Sequence, residues 1–392
     1  MNEKGIALPT ALIVLSVLLA LVVAFLVLAA SEPQIAYNQM ASAQARAVAE
    51  TGVERALWAL TKGDSNPDPP FTLDTTNLFN KVAPPDYDGS KFIKVAPLGA
   101  FKVTVTDGPT ANQKVITAVG FFPNEFNPTA IKKIQVRVIK FKKVDPPCAL
   151  CAGGESPPGT TTQVQVGGNA TVNASPAKGA NYCAGVTPTS AVASDGSVKT
   201  NGSPNLSEPT DGATIAENVP KSTFEKFILT DTDMAFLKSF AKANGTYFQG
   251  DTTFTEAPKN GVVFIDTPSG QPFTASSPTS DQISVDMHGN WGSPGFSGWV
   301  VVAGSAKISG NVTITGLVYA QNDVSLNGLG TSKINGAVIS TNRKDTSATT
   351  VDSSDIGQAP LTYDCPAVRT GGGSLPQGWT IEPGTFVEQA GK

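Results

Sequence analysis

From Gly5 to Ser31 the chain carries no charged side chain; the nearest charges are Lys4 and Glu32. A bilayer core takes about 20 apolar residues, and the apolar region of a secretory signal peptide spans only about 7–15. The run "GIALPTALIVLSVLLALVVAFLVLAAS" exceeds both. Such a segment is removed, anchors the chain, or packs into an assembly. Removal has one feature in its favour, the A-x-A-like pair Val27 and Ala29 in "VLAAS", but the only basic residue before the run is Lys4, beside Glu3. The neighbouring segment argues against removal. "QIAYNQMASAQARAVAETGVERALWALTKG" is rich in helix formers. Ala49, Val53, Leu57 and Leu60 recur at helical spacing. Lys62-Gly63 is a basic last turn followed by a helix stop. Pro33 is expected to kink the helix rather than end it. The pattern predicts one long helix, transmembrane over 6–31 and amphipathic over 32–62.

Lys4-Gly5-Ile6, running directly into the apolar segment, resembles the class III signal of type IV prepilins. The resemblance implies that residues 1–5 are a leader. A prepilin peptidase would cut between Gly5 and Ile6 and methylate the new N-terminus. Most pilins carry Phe at the first mature position and Glu at the fifth; this chain has Ile6 and Thr10, with Pro9 between. The missing Glu resembles the PilX-type and GspK-type minor pilins. A free amine in lipid is costly unless neutralised, and the family's Glu is thought to neutralise a neighbour's. A subunit with Thr10 is expected not to propagate a homopolymer but to begin or cap one.

Residues 63–144 begin with the Pro- and Asp-rich "DSNPDPPFTLDTT" and continue into three strand patterns, "AFKVTVTD", "KVITAVGFF" and "IKKIQVRVIKFK". A long helix on a small antiparallel sheet is the pilin head architecture that the resemblance implies. In the third strand Ile134, Val136 and Val138 share one face and Ile139 and Phe141 the other, which suggests a bulge or an edge. Its charges, Lys132, Lys133, Arg137, Lys140, Lys142 and Lys143, suit either an anionic-surface stripe or a solvated edge whose lysines block pairing. No aromatic residues alternate with them as stacking platforms, and the net charge is −4. The edge is favoured, and nucleic acid is not an expected partner.

Residues 145–230 are rich in Gly, Pro, Ser and Thr and are expected to be loops and short strands, with "KTNGSPNLSEPTDG" a loop. Residues 231–392 are expected to hold one short helix, a β-solenoid-like domain and a C-terminal tail. In "LTDTDMAFLKSFAKANG", Asp231 or Thr232 is the expected cap and Asn244-Gly245 the stop; Met234, Leu237, Phe240 and Ala241 form the apolar stripe. "ITGLVYA" from Ile314 matches "INGAVIS" from Ile334, and "ISG" at Ile308 matches "LNG" at Leu326. Such short repeats are the mark of a β-solenoid; a sandwich is the alternative. Val312 and Ile314 should point inward, Thr313 and Thr315 outward. "GGNATVNAS", "GVVFIDT" and "GWVVVAG" are candidate divergent repeats, and "LPQGWTIEPGTFVEQAGK" a tail folded over an open end. The fold class is α+β and mostly β.

No catalytic constellation stands out, and no cofactor, metal or enzymatic activity is expected. His288 is the single histidine, which excludes a multi-His metal site. Cys148, Cys151, Cys183 and Cys365 allow three disulfide pairings, a zinc site or free thiols; an exported chain favours disulfides. "VDSSD" and "TDTDMAF" lack the Gly and bidentate Glu of a calcium loop. His288, Trp291, Phe296 and Trp299 form a weak candidate binding patch, aromatics packing a loop onto the sheet being the other reading. "TGGGS" near Gly371 reads as a flexible loop.

The expected role is a minor pilin-like subunit of a type IV pilus or type II secretion-like filament, at or near the tip. Its partners would be the prepilin peptidase, other pilins through the helix, the inner membrane before assembly, and a surface ligand or tip adhesin. The C-terminal region would lie outside the cytoplasm, then on the pilus or cell surface. A membrane-anchored adhesin or scaffold outside any filament is the first alternative, and an anchored polysaccharide-acting enzyme the second.

Overall fold

The computed structural model describes residues 7–63, 87–95, 97–110, 112–175, 182–183, 188–209, 212–292, 294–328, 333–344, 351–357, 360–376 and 378–390. The chain divides into two compact units, Met1–Lys140 with Gly378–Lys392, and Phe141–Gln377.

In the first unit α1 (Ala7–Gly63) is a single helix of 57 residues, continuous through Pro33. It is about 85 Å long at 1.5 Å per residue. Its halves differ in burial. Leu8–Leu26 is long and apolar enough to cross a membrane, and none of it is buried. Ala41, Ala45, Val48, Ala49, Val53, Ala56, Ala59 and Leu60 are buried in a stripe of helical period. The stripe packs on an antiparallel sheet of β1 (Ile93–Val95), β2 (Gly99–Asp107), β3 (Gln113–Phe122) and β4 (Ala130–Lys140). Small residues allow the close approach. A Cβ on Gly120 of β3 would stand 2.1 Å from the Ala45 carbonyl, and one on Gly52 would meet Phe101 at 2.9 Å and Ala118 at 3.0 Å.

The basic strand is not the edge that its lysines suggested. β4 pairs with β3 on one side and with two C-terminal strands, Trp379–Ile381 and Val387–Ala390, on the other. Its register with β3 runs unbroken from Phe122↔Ala130 to Gln113↔Ile139, without a bulge. Val138 and Ile139, on opposite faces, are both buried, while Gln135 is exposed. The lysine and arginine side chains face carboxylates of the tail instead of repelling a strand: Lys132 lies 3.0 Å from Glu388, and Arg137 2.7 Å from Glu382. The tail therefore completes this sheet rather than closing an end of the repeat region. "DSNPDPPFTLDTT" lies outside the described residues.

The second unit is built from parallel strands in two sheets. In chain order these are β5 (Cys148–Ala152), β6 (Gln163–Gly168), β7 (Thr171–Asn173), β8 (Ser190–Ser194), β9 (Ser197–Gly202), β10 (Asn205–Ser207) and β11 (Ala213–Ala216). Short α2 (Lys221–Phe224) and α3 (Asp231–Asn244) follow. Then come β12 (Tyr247–Gln249), β13 (Thr253–Phe254), β14 (Gly261–Asp266), β15 (Ser284–Met287), β16 (Phe296–Val302), β17 (Ser305–Ser309), β18 (Thr313–Ala320) and β19 (Val324–Gly328). β20 (Lys333–Ser340), β21 (Ser353–Gly357), β22 (Pro360–Tyr363) and α4 (Cys365–Thr370) complete the unit.

From β12 to β21 successive strands alternate between the sheets. One sheet runs β12, β14, β16, β18, β20, β5, β8, β11, with β22, β7 and β10 branching from β20. The other runs β13, β15, β17, β19, β21, β6, β9. The sequence repeat is the physical register: Ile314 pairs with Ile334, and Ile308 with Leu326. Val312 and Ile314 are buried and Thr313 and Thr315 only half-buried. The candidate divergent repeats all carry parallel strands, at β7, β14 and β16.

Like side chains stack between tiers. Val263, Val300, Val318, Val338, Leu150, Val192 and Ile215 form one column. Gly261, Gly298, Gly316 and Gly336 form another, each at φ between 119° and 149°. A Cβ on Gly316 would lie 2.0 Å from the Gly298 carbonyl, and one on Gly336 1.7 Å from the Gly316 carbonyl, so these two positions require glycine.

Residues 145–230 hold seven short strands, β5 to β11, among the described residues. β5, β6, β8 and β9 continue the two sheets beyond β20 and β21, and "KTNGSPNLSEPTDG" contributes to β9 and β10. The helix content also exceeds the single helix expected, since α2 and α4 accompany α3. The cap of α3 is Thr230, not Asp231 or Thr232, in a reciprocal capping box with Asp233; Gly245 ends the helix in the left-handed region. "TGGGS" includes the left-handed cap of α4 at Gly371.

Candidate functional site

The exposed apolar half of α1 is the first candidate. Thr10 lies exposed within it; the cleavage pair Gly5 and Ile6 lies outside the described residues. Nothing in the helix before Glu32 offers a carboxylate. Its other half is held by the packing of Ala45, Ala49 and Gly52 against β2 and β3, and the helix runs unbroken from the apolar half into that packed half.

The four cysteines form two disulfides. Cys148–Cys151 closes within β5, with Cα atoms 5.5 Å apart. Cys183–Cys365 ties the segment before β8 to the start of α4 across 182 residues of sequence, at a Cα separation of 5.4 Å. Asp145, Cys183 and Cys365 bring potential metal-binding atoms within 4.8 Å of one another. The sulfurs are bonded to each other, and Asp145 is held by Arg369 at 2.5 and 2.7 Å. That cluster has no thiolate to offer.

The aromatic patch does not form a surface. Trp291, Phe296 and Trp299 are buried, while His288 stays partly exposed, 3.4 Å from Asp286. Trp291 Nε1 donates to the His288 carbonyl (3.1 Å), and Trp299 Nε1 to the Val368 carbonyl (2.6 Å). Phe296 joins the core between the sheets. These rings hold segments in place and present no face to a ligand, which corrects the expected patch.

Two features escaped sequence reasoning. The first is Asp355. In its column the neighbours are Met287, Ile308, Leu326, Val166 and Thr200, and Leu326 and Val166 flank it directly. It is fully buried, and neither carboxylate oxygen has a hydrogen-bond partner among the described residues. Desolvation pushes its pKa up to about 7. Ser353 occupies the adjoining column between Val324 and Val164. Aligning "SSDIG" with "VSLNG" on their final glycines would have placed Asp355 inward. The second is a cavity beneath α3, lined by Met234, Phe264, Phe273 and Gln321 among others. Its walls come from distant segments, and no local motif marks it.

No family model matches the chain, and no curated protein matches it. Among solved structures, the competence-associated pilin ComZ from Thermus thermophilus is similar over 89% of this chain and 98% of its own, at 11% identity. The TM-score of 0.21 is too low for that likeness to carry an argument about this chain.

Proposed function

We propose that this chain is a minor pilin-like subunit of a type IV pilus or type II secretion-like filament. One observation carries the reading: a single helix of 57 residues joins an exposed, uncharged apolar half to a half packed on an antiparallel sheet. An isolated anchor has no need of rigid continuity between its membrane segment and its head. A filament subunit does, because head position along the fibre is set by helix packing. The apolar segment would first hold the chain in the inner membrane, its C-terminal region outside the cytoplasm, and then pack against helices of other pilins.

The finer elements belong to the same proposal. Prepilin peptidase would cut after Gly5 and methylate Ile6. Thr10, at the fifth mature position, supplies no carboxylate for a neighbour's amine, which suits a subunit that primes or caps the fibre near its tip. The alternating parallel sheets of the second unit are read as a β-solenoid presenting an adhesive surface, with no catalytic role. The disulfides suit an oxidising compartment.

The mature N-terminus tests the reading. Mass spectrometry of protein from sheared filaments should find N-methylated Ile6 as the first residue, and Gly5→Val should leave the leader attached. A native product that starts near Ala30 and occurs free of filaments would overturn it.

A further inference from the structure

We propose that the second unit binds the acetamido group of an N-acetylated amino sugar in the cavity beneath α3. The space open to the centre of a water-sized sphere is about 90 Å³, several times the roughly 10–15 Å³ that one water needs on that measure. It has room for a group of a few heavy atoms.

The wall is apolar where Met234, Phe264, Phe273 and Ala303 meet, which suits a methyl. Its charges are already matched. Lys238 Nζ lies 2.5 Å from the buried carboxylate of Asp266 and donates to the Gly270 carbonyl (2.6 Å). Asp266 also accepts from the Tyr247 hydroxyl (3.0 Å). Asp231 is paired with Arg343 at 2.9 Å, and the same Arg343 nitrogen donates to the Phe273 carbonyl (2.7 Å), fixing two parts of the wall. A charged occupant would upset these pairs, so a neutral one is selected.

Gln321 supplies the polar contact. It is 2% exposed. Its backbone N–H donates to Val302 (2.9 Å), and its carbonyl accepts from Thr341 Oγ1 (3.0 Å) and the Arg343 N–H (2.9 Å). Its side-chain amide has no hydrogen-bond partner among the described residues and lines the cavity. Buried amides are ordinarily satisfied. An acetamido carbonyl would accept from Gln321 Nε2 while its methyl sits among the apolar side chains. The sugar ring would remain at the mouth, where the exposed carboxylate of Asp231 can accept from its hydroxyls. This site does not depend on whether the chain joins a filament.

Saturation-transfer NMR on the full chain in detergent micelles provides the test, with N-acetylglucosamine, glucosamine and glucose as probes. The acetyl methyl should receive the strongest transfer, and neither glucose nor glucosamine should compete at equal millimolar concentration. Gln321→Met, close in volume but without the amide, should weaken binding about tenfold, the effect of one lost buried hydrogen bond. Ala303→Leu should abolish binding by filling the cavity. Equal binding of glucose to the wild-type chain, no transfer to the methyl, or unchanged affinity in a folded Gln321→Met variant would each overturn the proposal.

Discussion

The two units solve the same packing problem in opposite ways. In the helix-and-sheet unit two charges of β4 are answered near the surface: Lys132 and Arg137 meet Glu388 and Glu382 of a segment that arrives from the far end of the chain. In the tiered unit the strands carry few charges, and one of them is buried without a hydrogen-bond partner among the described residues: Asp355, between Leu326 and Val166. Surface ion pairs contribute little and tolerate change, whereas a buried carboxyl must stay protonated or destabilise its surroundings. The first unit should therefore respond weakly to loss of charge, and the second strongly to pH and to the loss of its long-range tie.

The largest effect belongs to that tie. Cys183→Ser with Cys365→Ser releases a loop of 182 residues and should lower the stability of the tiered unit by about 5 kcal/mol on the chain-entropy model. Removing the short Cys148–Cys151 link should cost about 2 kcal/mol by the same model. Urea unfolding followed by tryptophan fluorescence checks the order; equal losses would mean that loop length does not govern.

Asp355 should give the next effect. Its folded pKa stands above its unfolded value, so the stabilisation is fully present below about pH 4. It is lost as pH rises through about 7. The tiered unit should weaken across that window by a few kcal/mol, and Asp355→Asn should flatten the slope. Unfolding midpoints from pH 4 to 8 provide the readout, and an identical slope in the variant would remove the comparison's basis. The smallest effect is expected in the other unit. Glu388→Gln should cost about 0.5 kcal/mol, less at high salt, by the same unfolding assay. Glu388 has a lowered pKa through its bond to Lys132, so its contribution fades only as pH falls below the usual carboxylate range.

What could be read from the sequence was local. The long helix follows from an uncharged run and a stripe at helical spacing, both contained in a few turns. The tiers from Ile308 to Ile339 were legible because each residue pairs with one 18 or 20 places along. The two corrections with the widest consequence are non-local. β4 reads as an edge until residues 378–390 arrive to cover it, and "KTNGSPNLSEPTDG" reads as a loop until β6 offers β9 a partner. The aromatic cluster misled for a related reason: exposure of Trp299 depends on α4, whose carbonyl at Val368 it meets. For the cavity, Gln321 is unremarkable in sequence, and only the fold shows that its amide lines the space without a partner among the described residues.

The order of the tiers bears on biogenesis. β5 to β11 come first along the chain, yet the stack places β5 against β20 and β6 against β21, which are made nearly two hundred residues later. A chain made from its N-terminal end would therefore present these early strands with one flank open. The missing neighbours are made only near the end of synthesis, so the segment calls for protection until then, and truncation anywhere before β21 would leave a sticky, unfinished edge.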